Sequence, residues 1–177
     1  MHMAGWDTAV MAMIGISAIG FLISYGEAGR VAWISAMRRC LLRMNGIIRY
    51  EQPGLPGLLR RIDLKGTAQE RELTRLLHVC AHRMEQCANP QLMILFAGES
   101  MRVPGYGVLN AQDRLAFETV LAELGRSRME EQLRLIDQAD ERLRAREEEL
   151  KRDCARRTQM IRTLGLAAGA AAFLVLI

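Results

Sequence analysis

Residues 67–87 read TAQERELTRLLHVCAHRMEQC, one helix written out from its cap to its last turn. Thr67-Ala68-Gln69-Glu70 has capping-box spacing, in which the hydroxyl and the carboxylate each satisfy an amide that the first turn leaves unpaired. Behind the cap, Leu73, Leu76, Leu77, Cys80, Met84 and Cys87 recur in steps of three and four, the apolar face of an amphipathic helix.

The same period runs outward in both directions. Toward the N-terminus, Trp33, Met37, Cys40, Leu41, Met44, Ile47 and Ile48 keep helical spacing until Gln52, where Pro53-Gly54 breaks it. Pro56 suits the first position of a short helix through Ile62. Toward the C-terminus, Asn89-Pro90 ends one helix and starts another, with Leu92, Met93, Leu95 and Phe96 in its body. A turn or loop follows at Val103-Pro104-Gly105-Tyr106-Gly107. Asn110 with Asp113 is placed to cap a helix carrying Leu115, Phe117, Val120, Leu121 and Leu124, closed by Gly125. Ser127-Arg128-Met129-Glu130 is a second capping box, opening a long helix with Met129, Leu133, Ile136, Leu143, Leu150, Cys154 and Ile161 in its stripe. Asp140, Glu147 and Arg157 interrupt that stripe, which favours packing against a bundle over an autonomous coiled coil. No strand alternation occurs, so the expected fold class is all-α, an antiparallel helical bundle.

Both ends of the chain are apolar where the middle is charged. Residues 8–26, TAVMAMIGISAIGFLISYG, carry no charge and as a helix reach roughly 28 Å, close to the thickness of a bilayer core. Residues 163–177, TLGLAAGAAAFLVLI, reach about 22 Å and suffice if Arg162 snorkels outward. A cleaved signal peptide fits the first stretch poorly: no Lys or Arg precedes it and no small-x-small site follows. A buried core helix or an interfacial hairpin is the alternative for the second. The cations Arg30, Arg38, Arg39 and Arg43 follow the first stretch, and Arg144 through Arg162 precede the second. By the positive-inside rule the middle is cytosolic. The expected domains are a transmembrane helix at 8–26, a cytosolic bundle at 27–162 and a second transmembrane helix at 163–177. Gly165 and Gly169 have the small-xxx-small spacing that lets helices approach closely.

Net charge is +4, with Arg far commoner than Lys. The basic residues alternate with acidic ones instead of forming one stripe, so no nucleic acid is expected as partner; the flanking cations can touch anionic lipid. The four cysteines, Cys40, Cys80, Cys87 and Cys154, are expected as thiols. His78 and His82 share a helix face at i and i+4 and invite a zinc reading, but Cys80 points to the apolar face and no acidic support adjoins the pair. No metal, cofactor or catalytic group is expected. Two charged surfaces are candidates for docking a partner: Arg75, His78 and His82, and a rod with Glu141, Arg144, Glu148 and Lys151. The alternative for the rod is a solvated face laced by i,i+4 pairs.

Leu124-Gly125-Arg126-Ser127, then Gln132-Leu133, a charged helix, Leu164-Gly165 with Gly169, and an apolar end resemble the stage III sporulation protein AB (SpoIIIAB) family. The plan of an opening span, an amphipathic helix ending near Tyr50 and a Pro turn fits as well, so the resemblance covers nearly the whole chain. Two positions depart from it. Glu51 stands where the family usually has Gly, and Arg128 where it usually has an acidic residue; Ser127 is expected to cap instead. The resemblance implies a two-pass protein of the mother-cell membrane facing the forespore. It implies a cytosolic domain like the F domain of type II secretion and type IV pilus inner-membrane proteins, and a place in the SpoIIIA–SpoIIQ channel-like complex. The implied partners are the secretion-type ATPase SpoIIIAA and other SpoIIIA membrane subunits, with a homo-oligomer left open. It implies no catalytic residue. The alternatives are a type II secretion or pilus platform protein, whose usual three spans and paired F domains are missing, a membrane-anchored adaptor, and a metal enzyme built on His78 and His82.

Overall fold

The computed structural model describes the backbone of residues 4–86 and 91–176, and the side chains of residues 28–86, 91–156, 159 and 160. Six α-helices follow one another among the described residues: α1 (Ala4–Glu51), α2 (Leu55–Arg61), α3 (Ala68–Gln86), α4 (Leu92–Ser100), α5 (Ala111–Glu123) and α6 (Met129–Leu176). A short 3-10 turn, Tyr106–Val108, precedes α5. No strand occurs among the described residues, as the sequence period requires.

The chain divides into two units. One is Met1–Gly29 with Glu149–Ile177. Among the described residues no helix is long and apolar enough to cross a membrane. The expected spans, residues 8–26 and 163–177, have side chains that lie outside those described, as do Ile161 and Arg157.

The other unit, Arg30–Glu148, is the helical bundle. Its part of α1 buries Trp33, Met37, Cys40, Leu41, Met44, Ile47 and Ile48, the stripe expected from the sequence. Each large aliphatic side chain withdrawn from water contributes about 1.5–3 kcal/mol, which is why this stripe organises the unit. In the unit, α6 runs antiparallel to α1. Gln52 lies by Met129, Asn45 donates to Asp137 at 2.7 Å, and Arg38 meets Asp140 and Glu147. Helix α3 packs against α2 and α4, and α4 against α5. Leu73, Leu76, Leu77, Cys80 and Met84 are buried as expected, while Cys87 and the Asn89-Pro90 break lie outside the described residues.

The capping box of α3 forms, and it does more than cap. Glu70 N–H donates to Thr67 Oγ1 at 3.3 Å, and Glu70 Oε2 accepts from the amides of Thr67 (3.3 Å) and Gly66 (2.8 Å). Glu70 is only 3% exposed, and its other oxygen accepts from Arg39 of α1. A Cβ on Gly66 would come within 2.2 Å of that carboxylate, so a side chain before the cap would have to displace Glu70 from its bonds.

Three local expectations are corrected. Asn110 occupies the N-cap position of α5 but makes no capping bond. Its amide oxygen, turned inward, accepts from Arg30 at 2.8 Å and from Arg146 at 3.3 Å. Asp113 is 4% exposed and pairs with the same two arginines. The half-buried arginines outcompete the helix end for these acceptors, because the buried Asp113 carboxylate left unpaired would cost more than an uncapped amide. Ser127 does not cap α6: its hydroxyl donates back to the Glu123 carbonyl at 3.3 Å, and α6 starts at Met129. Pro56 is the second residue of α2, not the first, since Leu55 already opens the helix.

The loop at residues 103–107 is not a passive turn. Tyr106 is buried, meets Trp33 and Phe96 edge-on at 5.6 and 5.8 Å, and donates its hydroxyl to Glu118 at 3.2 Å. Burial first, then the Glu118 carboxylate, raise its pKa. Gly105 reaches φ 83°, where a Cβ would stand 3.1 Å from the Trp33 ring nitrogen.

Candidate functional site

Two of the three interruptions in the α6 stripe, Asp140 and Glu147, are ionic partners of α1. Arg38 sits on the core-facing side of α1; its Nε donates to Asp140 Oδ1 at 2.9 Å and its Nη1 to Glu147 Oε2 at 2.8 Å. Partial burial alone would lower its pKa, but the bonds to two carboxylates outweigh that and hold it above the ordinary arginine value. A second cluster joins Arg30, Asp113, Arg146 and Asn110; there Arg30 Nε and Asp113 Oδ2 have no hydrogen-bond partner among the described residues. The sequence does contain a signal for the first cluster. A cation placed among the apolar residues of α1 is matched by acidic breaks in the stripe of α6, although spacing alone does not say that the two meet.

The candidate docking residues fall on two separate surfaces. On α3, Arg75, His78 and His82 line one open groove of about 620 Å³ together with Arg71, Val79 and Arg83. His78 is half-buried and its Nε2 bonds the Ile62 carbonyl at 2.9 Å; His82 Nε2 accepts from the Gln86 amide at 3.0 Å. Each imidazole is thus already engaged through Nε2, and no group of three potential metal ligands exists among the described residues. Arg71 is exposed with no ion pair among the described residues. Arg75 has only a surface pair with Glu72 at 3.3 Å. On α6, Glu141, Arg144 and Glu148 share an exposed face, with Arg144 Nε 3.3 Å from Glu148 Oε1, the i,i+4 lacing expected of a solvated helix. Lys151 is exposed and belongs to the other unit.

Four of the motif residues, Leu124, Gly125, Gln132 and Leu133, gather at the joint between α5 and α6. Leu124 is buried with φ −58° and ψ 126°, Gly125 follows with φ 79°, and Arg126 N–H donates to the Glu123 carbonyl at 3.1 Å. This is a type II turn, which needs glycine at its third position. Gln132 closes the joint by donating its amide to the Ser127 carbonyl at 2.7 Å, and Leu133 beside it is half-buried. Tyr50 is 84% exposed at the end of α1. The side chains of Leu164, Gly165 and Gly169 lie outside the described residues.

The family model of stage III sporulation protein AB matches residues 6–177. The chain belongs to the stage III sporulation protein AB family. The match takes in the bundle, the Leu124-Gly125 turn and both apolar ends, so the identity holds for the chain as a whole. No curated protein and no solved structure matches the chain. Membership in this family makes the protein a stage III sporulation protein, a component of a sporulation complex. Against that background the type II turn and Gln132 are read as structural: they aim α6 back along α1 and contact no candidate docking residue. Arg128 stands at the start of α6, where an acidic side chain would accept from the first amides and an arginine cannot. The chain forms the joint without that cap, through Gly125 and Gln132.

Two thiols of the bundle are held away from reaction. Cys40 and Cys80 are free and buried; Cys154 is half-buried in the other unit. Burial pushes the Cys80 pKa up to about 11, and raises that of Cys40 further. A thiol held protonated is a poor nucleophile and a poor metal ligand.

Proposed function

We propose that this protein is a non-enzymatic, two-pass platform subunit of the SpoIIIA–SpoIIQ channel-like complex, set in the mother-cell membrane facing the forespore. Residues 8–26 and 163–177 anchor it, and the bundle docks the secretion-type ATPase SpoIIIAA on the cytosolic side. The observation that carries this reading is the family match over residues 6–177, which spans the bundle and both apolar stretches together. Two further features support it. The long uncharged stretches flank cation-rich segments on the bundle side only. The bundle also keeps an exposed, cation-rich helix face away from its core.

The test is heat-resistant spore yield after deletion of the gene and its return in trans. Deletion is expected to abolish the yield, the intact gene to restore it, and a copy lacking residues 163–177 to fail. Normal spores after deletion would remove the reading. The docking step is tested by co-purification of the ATPase with charge-reversed variants of the α3 face and of the Glu141, Arg144, Glu148 face. Undiminished recovery with both would remove that step while leaving the anchored subunit.

A further inference from the structure

We propose that the outer face of α3 is the seat of an acidic amphipathic helix supplied by a protein partner. The inference rests on the platform reading above and names the chemistry of the partner's contact.

Arg71, Arg75, His78 and His82 follow one another in steps of four, three and four, so they lie in one line down the helix. The line is about 17 Å long, three turns, the length over which a second helix can lie alongside. Arg71, Arg75 and His82 are exposed, and carboxylates neutralise the line only weakly. Glu72 holds Arg75 at the surface, Asp63 is taken by Lys65 at 3.0 Å, and Arg83 beside the line is paired with Glu99 at 2.8 Å. What remains is a basic stretch in which Arg71 has no ion pair among the described residues, Arg75 has one surface pair and each imidazole is engaged through Nε2 alone, complementary to a row of Asp or Glu at helical spacing.

The relief is shallow. The line itself walls the 620 Å³ groove. A second groove of about 320 Å³, between α3 and the segment from Glu99 to Pro104, is lined by Leu76, Val79, Val103 and Pro104 together with Glu72, Glu99 and Arg102. Arg75 and Val79 line both. A partner helix with carboxylates toward the cationic line and small apolar residues toward Val79 fills this relief. A flat anionic bilayer fits it poorly: α3 presents no exposed aromatic or long aliphatic residue to insert, and Glu72 and Glu85 stand among its cations.

The experiment uses the full chain in the membranes of sporulating cells, with the photo-reactive residue benzoylphenylalanine in place of Val79. The adduct is expected on one protein segment with three or more carboxylates at steps of three and four. Reversal by Arg71→Glu with Arg75→Glu is expected to cut the adduct about tenfold, since each reversal places like charges face to face. Lysine at the mapped partner carboxylates is expected to restore it. Adducts mainly with lipid, an acceptor segment without such carboxylates, or a yield that ignores the reversal would each overturn the proposal. Arg71→Gln with Arg75→Gln, which removes charge without reversing it, is expected to give a smaller loss. The two readings fail separately. If the mapped acidic segment belongs to a protein other than the ATPase, the seat stands and ATPase docking on the α3 face falls. If the ATPase co-purifies undiminished with the reversed variant, its docking stands on another face, and the cross-link alone decides the seat.

Discussion

The α1–α6 seam and the outer face of α3 are both arginine-bearing helical surfaces, yet they do opposite work. In the seam, Arg38 is held between Asp140 and Glu147, the latter side chain only 7% exposed. On α3, Arg71 and Arg75 stand in water. The difference teaches that arginine has no fixed meaning in this fold. Where carboxylates from another helix reach it away from solvent, it fixes register; where none does, it stays in water.

The comparison breaks most visibly at Arg38. Arg38→Met strands two partly buried carboxylates, and the unfolding free energy of the purified chain is expected to fall by about 3–5 kcal/mol in a denaturant titration. Adding Asp140→Leu and Glu147→Leu is expected to recover most of that loss. Stability as low in the triple variant as in the single one would mean that packing around Arg38, not its charge, holds the seam. Next is Glu70, which caps α3 and clasps Arg39 in one side chain. Glu70→Ala is expected to cost about 2–3 kcal/mol, the sum of a lost cap and a lost charged hydrogen bond.

The buried thiol gives a pH test of the same core. Cys80 is raised from an ordinary value near 9 to about 11. The unfolded thiol therefore ionises first, and stability falls as pH rises from about 9 to about 11. Cys80→Ala is expected to make that fall shallower in melting scans across this window; an unchanged slope would assign it to other groups. A smaller effect comes from Gln52, the one described non-glycine residue with positive φ, at 45°. Gln52→Gly is expected to stabilise by about 0.5–1 kcal/mol by removing that strain. Smallest of all, Arg71→Gln with Arg75→Gln is expected to leave the unfolding free energy within about 0.5 kcal/mol. A larger loss would place these arginines with Arg38 and dissolve the contrast.

Helices α1, α3 and α6 were legible because each carries its own period, and the α3 cap because its two partners lie three residues apart. The candidate docking surface on α3 was legible for the same reason: Arg75, His78 and His82 share a face by spacing alone. Arg71 extends that line, and its lack of an ionic partner emerged only once the neighbouring helices were in place. Tyr106 was hidden inside a Pro-Gly turn whose chemistry reads as loop. Asp140 and Glu147 were read as defects in a stripe because their partner lies 102 and 109 residues away.

Sequence by itself determined the helical class, the helix borders at Gln52 and Gly125, the apolar faces of α1 and α3, and the family, since each depends on neighbours within a few turns. Tertiary structure alone decided which charges are structural. Whether a cap residue such as Asn110 serves its own helix or two arginines from elsewhere depends on what is buried beside it. Burial raises the cost of an unpaired charge above that of an uncapped amide, and no local pattern records burial.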